Sequence, residues 1–301
     1  MAAETIKILH VSDLHLIDNN DPNCTRIIDR FCDYISGEDN PFTHVLFTGD
    51  LMRKNDVNID DIVITINRIV TSSGVTGREY VYIIPGESDA DNAGNNLISQ
   101  IGKTYKIGND TTFNSTSNLL NRFNSFRNIC DRFYGTINLW NTTDLHAFHN
   151  IDGVAFICLN SCFFRTSDNL DNNLFFGIDY VEKLLAKTDD AQTVIILSHH
   201  PWEMIAPKDR DWFYARITQL KHKKCYWFCG HLHTCKKYES LPGINVFQAG
   251  TLTGYERSAQ FSCYNICDNG EIRWKKCFYK SDLGYLANGK DGWKANIITL
   301  P

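Results

Sequence analysis

Thr5-Ile6-Lys7-Ile8-Leu9-His10-Val11-Ser12-Asp13-Leu14-His15 is the stretch that decides how this chain is read. Thr5 to Val11 is short, mostly apolar and rich in β-branched residues, which reads as a strand. It breaks at Ser12, and an Asp and a His then follow two residues apart. Working outward, the same arrangement recurs. Thr25 to Ile35 places Ile27, Ile28, Phe31 and Ile35 on one helical face, and Thr43 to Thr48 is a second strand that stops at Gly49-Asp50. Ile59 to Val70 is helical again, and Glu79 to Ile84 is a third strand that stops at Pro85-Gly86. Strand and helix alternating in this way predict an α/β fold with a parallel, helix-covered sheet.

The remainder of the chain fits one large domain over residues 1–281. Asn, Ser and Thr crowd the stretch from about 90 to 150, which reads as a cap-like excursion from that domain. Strands resume at Val154 to Asn160 and Thr193 to Ser198, with a helix over Tyr180 to Lys187 between them. Cys225 to Cys229, Asn245 to Ala249, Phe261 to Cys267 and Glu271 to Tyr279 follow closely and, with Asp268-Asn269-Gly270 as a turn, predict a hairpin-rich second sheet. Residues 282–301 read as a C-terminal tail that either wraps back on the core or leads into further sequence.

Composition narrows the function. The chain has 301 residues, 30 Lys+Arg against 35 Asp+Glu, and 43% hydrophobic residues. That apolar content excludes a disordered chain, and no apolar run is long enough to span a membrane. The mild negative charge argues against broad capture of nucleic acid. Lys221-His222-Lys223-Lys224 is the best basic strip and reads as charge at a helix C-terminus. Eleven cysteines, with no leader of signal-peptide type before Asp13, predict reduced thiols and a cytoplasmic protein. The late cysteines lack paired C-x2-C spacing, so they read as buried thiols and not as a zinc knuckle.

The chemistry collects at the strand ends. Asp13 and His15 follow the first strand, Asp50 the second, Glu87-Ser88-Asp89 the third; His199-His200 and His231-Leu232-His233 follow two later ones. Ligands of an α/β sheet gather outside its carboxyl ends. A set of carboxylates and imidazoles suits manganese, iron or zinc. Two such ions held side by side activate water and clamp a phosphoryl group.

The ordered series Asp13-Leu14-His15, Gly49-Asp50, Gly86-Glu87-Ser88-Asp89, His199-His200-Pro201 and Gly230-His231-Leu232-His233 resembles the calcineurin-like metallophosphoesterase superfamily, whose pattern is D-x-H, G-D, G-N-H-[DE], H-x-P and G-H-x-H. The resemblance implies a four-layer α/β/β/α sandwich, two mixed sheets face to face with helices outside. It implies two divalent or trivalent metal ions, Mn, Fe or Zn. Asp13, His15, Asp50 and His233 would hold one, and Asp50, Glu87, His199 and His231 the other.

The third block departs from the pattern. Glu87 replaces a neutral Asn and adds a negative charge, which predicts tighter metal binding and a weaker field for phosphate. Ser88 replaces the family's His, and a serine is no general acid near neutral pH. His200, Asp89 or Arg53 are the residues that could stand in, with Arg53 and Lys54 at the mouth of the site. Trp202, Trp212, Phe213 and Tyr214 either wall a pocket or pack a core. The function that follows is a metal-dependent phosphohydrolase, with a phosphodiesterase preferred because a diester leaving group needs less protonation. Its substrate would be a phosphoester, including nucleotides or nucleic acid. The competing expectations are a catalytically weak metal-binding scaffold and a nuclease effector domain of a longer protein.

Overall fold

The computed structural model describes residues 4–16, 21–53, 58–91, 120–137, 140, 145–165, 174–220, 223–238, 244–253, 259–280 and 292–300. Among these residues, twelve strands form two six-stranded sheets. The first sheet contains β1 (Glu4–Val11), β2 (His44–Thr48), β3 (Val81–Ile84), β10 (Gln260–Cys267), β11 (Ile272–Lys280) and β12 (Gly292–Leu300). Its order is β12-β11-β10-β1-β2-β3, parallel from β1 to β3 and antiparallel from β1 to β12. The second contains β4 (Ala147–Ile151), β5 (Val154–Cys158), β6 (Thr193–Leu197), β7 (Lys224–Cys229), β8 (Lys236–Tyr238) and β9 (Ile244–Gln248). Its order is β4-β5-β6-β7-β9-β8, with β5, β6, β7 and β9 parallel and the two edges antiparallel.

Period-2 alternation builds the layers. On β5, β6 and β7, Phe156, Cys158, Ile195, Leu197, Tyr226 and Phe228 join the core shared with the first sheet. Their neighbours Ala155, Ile157, Val194, Ile196, Cys225 and Trp227 join a second core under the helices. Rings lock the sheets together: Tyr82 stacks on Phe156 with centroids 3.8 Å apart, and Phe228 meets Tyr264 edge-on at 5.0 Å. On the outside, α1 (Pro22–Ser36), α2 (Ile59–Ser73) and α3 (Asn124–Tyr134) cover the first sheet, Phe31 of α1 lying 4.7 Å from Phe261 of β10. The helices α4 (Ile178–Leu185) and α5 (Pro207–Ile217) cover the second, through Val181, Phe213 and Ile217. The four-layer sandwich and mixed sheets expected from the resemblance are what the structure shows.

Three readings change. The late strands do not form one second sheet: β7 and β9 join β6, whereas β10 crosses back to pair with β1, Ile8 opposite Tyr264. At the end of the stretch read as an excursion, Ala147–Ile151 is an edge strand of the second sheet; most of its Asn-rich part, residues 92–119, lies outside the described residues. Helix α5 was missed because its Pro207-Lys208-Asp209-Arg210-Asp211 start is polar; of its aromatic residues Phe213 fills the core, while Trp212 and Tyr214 pack half-buried against it. Phe213 is 1% exposed and packs 5.2 Å from Trp227, which Trp202 also meets at 5.2 Å. Within 282–301, Gly292–Leu300 is the edge strand β12.

Candidate metal centre

The carboxyl ends of β1, β2, β3, β6 and β7 point their loops at one place, and the backbone there is unusual. Among the described residues, six non-glycines have positive φ, and five are Asp13, His15, Asp50, His231 and His233. Left-handed backbone is uncommon for such residues and costs on the order of 1–3 kcal/mol each where it is forced. The loops also touch where only glycine fits. A Cβ on Gly86 would lie 2.1 Å from Asp50 Oδ1, one on Gly230 1.9 Å from Ser12 Oγ, and one on Gly49 2.6 Å from His199 Nδ1. The glycines of the three motifs are therefore spacers that let the ligand loops close up.

Each donor is aimed by a hydrogen bond behind it. His199 Nδ1 donates to the Thr48 carbonyl at 2.8 Å, which leaves Nε2 3.5 Å from Asp50 Oδ1. Asp13 Oδ2 accepts the His231 amide at 3.0 Å, leaving Oδ1 3.4 Å from His233 Nε2. Asp50 accepts from the Ser88 amide at 2.8 Å and from the Ser88 hydroxyl at 3.1 Å. His15 and His233 face one another Nε2 to Nε2 at 3.2 Å, both near Asp13 Oδ1. This backing is the arrangement that fixes imidazole orientation in metal sites.

Among the described residues, three groups have donor atoms within 4.8 Å of one another: Asp13, His15 and His233; Asp13, Asp50 and His199; and His199, His200 and His231. Asp13 Oδ1, His199 Nε2 and His200 Nε2 are buried without a hydrogen-bond partner. Orphaned buried polar atoms are costly, and three that converge have a common explanation in a bound cation. Burial pushes Asp50 up to about 7, while it holds His231 down at about 4 and His200 at about 3. Asp13 is also pushed up by burial, but the neighbouring His233 imidazole and the charge of His199 outweigh this and hold it at about 2. His231 and His200 are thus held neutral, the form in which an imidazole binds a metal ion, whereas at His199 burial is outweighed by the carboxylates of Asp50 and Asp13, which raise it, and Asp13 raises His233.

Of the expected site residues, Asp13, His15, Asp50, His199, His231 and His233 come together. Glu87 stands beside them but belongs to none of the three groups; its Oε2 pairs with Arg165 Nε at 3.1 Å. His200 is fully buried, with Nδ1 held by Ser161 Oγ at 2.9 Å, and it joins His199 and His231 in one of these groups. Asp89 is fully buried, and its oxygens accept the amides of Leu51, Met52 and Gly86, which brace the two loops. Arg53 is exposed, and its charge acts on His15; Lys54 lies outside the described residues. In the basic strip, Lys221 and His222 lie outside the described residues, while Lys223 donates to the carbonyls of Thr188 and Asp189 and Lys224 to that of Asp268. Sequence reading missed Ser161 and Arg165, and it missed Thr251 and Thr253, whose hydroxyls donate to the carbonyls of Asp13 and Leu14.

A sandwich of two mixed sheets with a histidine-carboxylate cluster across their carboxyl ends is the build of a metallophosphoesterase. The chain belongs to the calcineurin-like phosphoesterase family, whose sequence profile matches residues 6–235. It is 21% identical over 307 aligned residues to an uncharacterized metallophosphoesterase-like protein, YydB, of Bacillus subtilis (strain 168); the alignment takes in 95% of this chain but 62% of that protein, so the chain spans less than two thirds of its relative. A dimetal phosphatase from Danio rerio shares the fold with a TM-score of 0.52 at 12% identity, over 91% of this chain and 96% of its own. A 5'-nucleotidase from Candida albicans SC5314 aligns at 11% identity with a TM-score of 0.43, over 99% of this chain and 52% of its own. No helix among the described residues is long and apolar enough to cross a membrane.

Proposed function

We propose that the chain is a metal-dependent phosphoester hydrolase that prefers phosphodiesters and works with two ions drawn from manganese, iron or zinc. The observation that carries this reading is the convergence of Asp13, His15, Asp50, His199, His231 and His233 with buried donor atoms left unpartnered. Asp13, His15, Asp50 and His233 would hold one ion, and Asp50, His199 and His231 the other. When bound, the ions lower the pKa of water and stabilise charge on the phosphoryl oxygens. Asp50 lies between the two sets, 3.7 Å from His15 Nε2 and 3.5 Å from His199 Nε2, and Ser88 holds it there.

The preference for a diester comes from the want of an available proton donor among the described residues of the site. The Ser88 hydroxyl donates to Asp50, so its proton is committed, and Asp89 has no exposed surface. Arg53 is positioned to offer charge but no transferable proton near neutral pH. Leaving groups that depart with little protonation therefore suit this site best. With all eleven thiols free, the protein suits a reducing compartment such as the cytoplasm.

The test is hydrolysis of bis-p-nitrophenyl phosphate against p-nitrophenyl phosphate by manganese-, iron- and zinc-loaded protein, with Asp50→Asn as control. The diester should be the faster substrate. Negligible rates with every metal, equal to those of the control, would sink the enzyme reading; faster monoester turnover would remove the diester preference alone. A metal-binding module without turnover is the second reading, favoured by the commitment of Ser88. It predicts that the double change Glu87→Asn, Ser88→His creates activity where none existed.

A further inference from the structure

We infer that His200, and not Glu87, completes the second ion's ligand set, and that Arg165 holds Glu87 out of it. This rests on the two-ion reading above and assigns a ligand that departs from the family pattern. The fourth place at the second ion belongs in that pattern to the side chain after Gly86. Here that side chain is Glu87, one third exposed, and its Oε2 is ion-paired with Arg165 Nε at 3.1 Å. The arginine is itself built in. Buried Arg122 donates to the carbonyls of Asp91, Phe163 and Arg165 at 3.0, 3.1 and 3.0 Å, pinning the loop after β5 so that Arg165 faces Glu87.

His200 occupies the opposite situation. It has no exposed surface, Ser161 Oγ engages Nδ1 at 2.9 Å, and Nε2 is unpartnered. Its ring centroid lies 4.5 Å from that of His231 and 4.9 Å from that of His199, and the three imidazoles together form one of the donor groups within 4.8 Å. Glu87 Oε2 stands 3.6 Å from His200 Nε2, beyond hydrogen-bonding distance, and Glu87 belongs to none of the donor groups.

Two consequences follow. The second position becomes Asp50 with His199, His200 and His231, a nitrogen-rich set that favours zinc or iron over manganese. The charge of Glu87 is answered by Arg165, so Asp13 and Asp50 remain the carboxylates facing the ions and the field for a phosphate is not weakened.

The deciding measurement is metal stoichiometry, by equilibrium dialysis of chelator-stripped protein against zinc and against manganese, followed by elemental analysis. Wild type and Glu87→Ala should each retain two zinc ions per chain, and His200→Leu one. In manganese the wild type should lose its second ion first. Loss of one zinc in Glu87→Ala, or two zinc ions in His200→Leu, would overturn the assignment. If His200→Leu fails to fold, Glu87→Ala decides alone, because that side chain is partly exposed and its removal opens no core cavity. A wild type holding fewer than two ions would instead sink the two-ion reading itself, and the wild-type arm shows that separately.

Discussion

The two ends of the sandwich are made from the same strands and solve opposite problems. At the carboxyl ends, residues after β1, β2 and β7 take left-handed backbone, glycines sit where no Cβ fits, and unpartnered atoms of Asp13, His199 and His200 converge. At the amino ends lies an open cavity of about 800 Å³ lined by Phe42, His44, Tyr80, Asp152 and Lys224 among others. His44 there is buried and its Nε2 is unpartnered too, but it stands among the rings of Tyr80, Tyr82 and Phe156 and belongs to none of the metal-ligand groups among the described residues. Orphaned polar atoms occur at both ends. What separates a site from a core is that at one end several of them point at a single volume.

The largest effect tests that convergence at its centre. Asp50→Asn keeps the shape of the side chain but removes the charge shared by both ion sets, so hydrolysis should fall on the order of 10³-fold or more, as expected when a preorganised charge is removed from such a site. A loss below tenfold would mean that the two sets do not share Asp50. Next comes the glycine contrast. Gly86→Ala puts a methyl 2.1 Å from Asp50 and should abolish two-ion binding, whereas Gly153→Ala, in the turn after β4, meets nothing within 4 Å. Because Gly153 has φ of 77°, its change should still cost about 1 kcal/mol of stability while leaving ion binding intact. Thermal melts and dialysis on both variants check this; equal ion loss would break the distinction between the ends.

Much of the carboxyl end was legible in sequence because its donors come in short strings. Asp13-Leu14-His15 and His231-Leu232-His233 announce themselves within three residues, and the alternation of strands and helices places them at strand ends. The remainder depends on distance along the chain. Arg165 lies 78 residues from Glu87, and Ser161 lies 39 from His200, so no local pattern pairs them. Glu87 occupied a ligand's place in the string, yet only the folded loop after β5 supplies the arginine that draws it away. The edge strands β4 and β8 were missed for a related reason: Ala147-Phe148-His149-Asn150-Ile151 and Lys236-Lys237-Tyr238 are short and polar, as sheet edges tend to be.

Titration sharpens the contrast, because His44 at one end and Asp50 at the other respond to pH with opposite sign. Burial lowers His44 from 6.5 to about 4, with Asp152 partly opposing it, so the folded protein keeps that ring neutral while the unfolded chain protonates it. Its contribution is complete above about pH 6.5 and is lost as pH falls toward 4, at up to ~1.4 kcal/mol per pH unit. Burial raises Asp50 from 3.8 to about 7 in the metal-free protein, so the fold favours its neutral form and loses stability as pH rises from about 4 to 7. Denaturant melts of chelator-treated protein should therefore show His44→Phe gaining on wild type as pH falls through 6.5 to 4. Asp50→Asn should gain as pH rises from 4 to 7. Parallel curves for either variant would remove that group from the balance.

The smallest effect concerns Ser88. If its hydroxyl serves Asp50 alone, Ser88→Ala removes one hydrogen bond of 3.1 Å while the amide bond of 2.8 Å to the same carboxylate survives. A hydrogen bond to a charged group contributes about 1.5–3 kcal/mol where it is buried and less where water can replace it. Ser88 is half-buried, so ion affinity should weaken by about tenfold, and kcat at saturating metal should change little. A drop in kcat of about a hundredfold with affinity unchanged would place the hydroxyl on the substrate. The leaving group would then have a partner after all, and the diester preference would lose its physical basis.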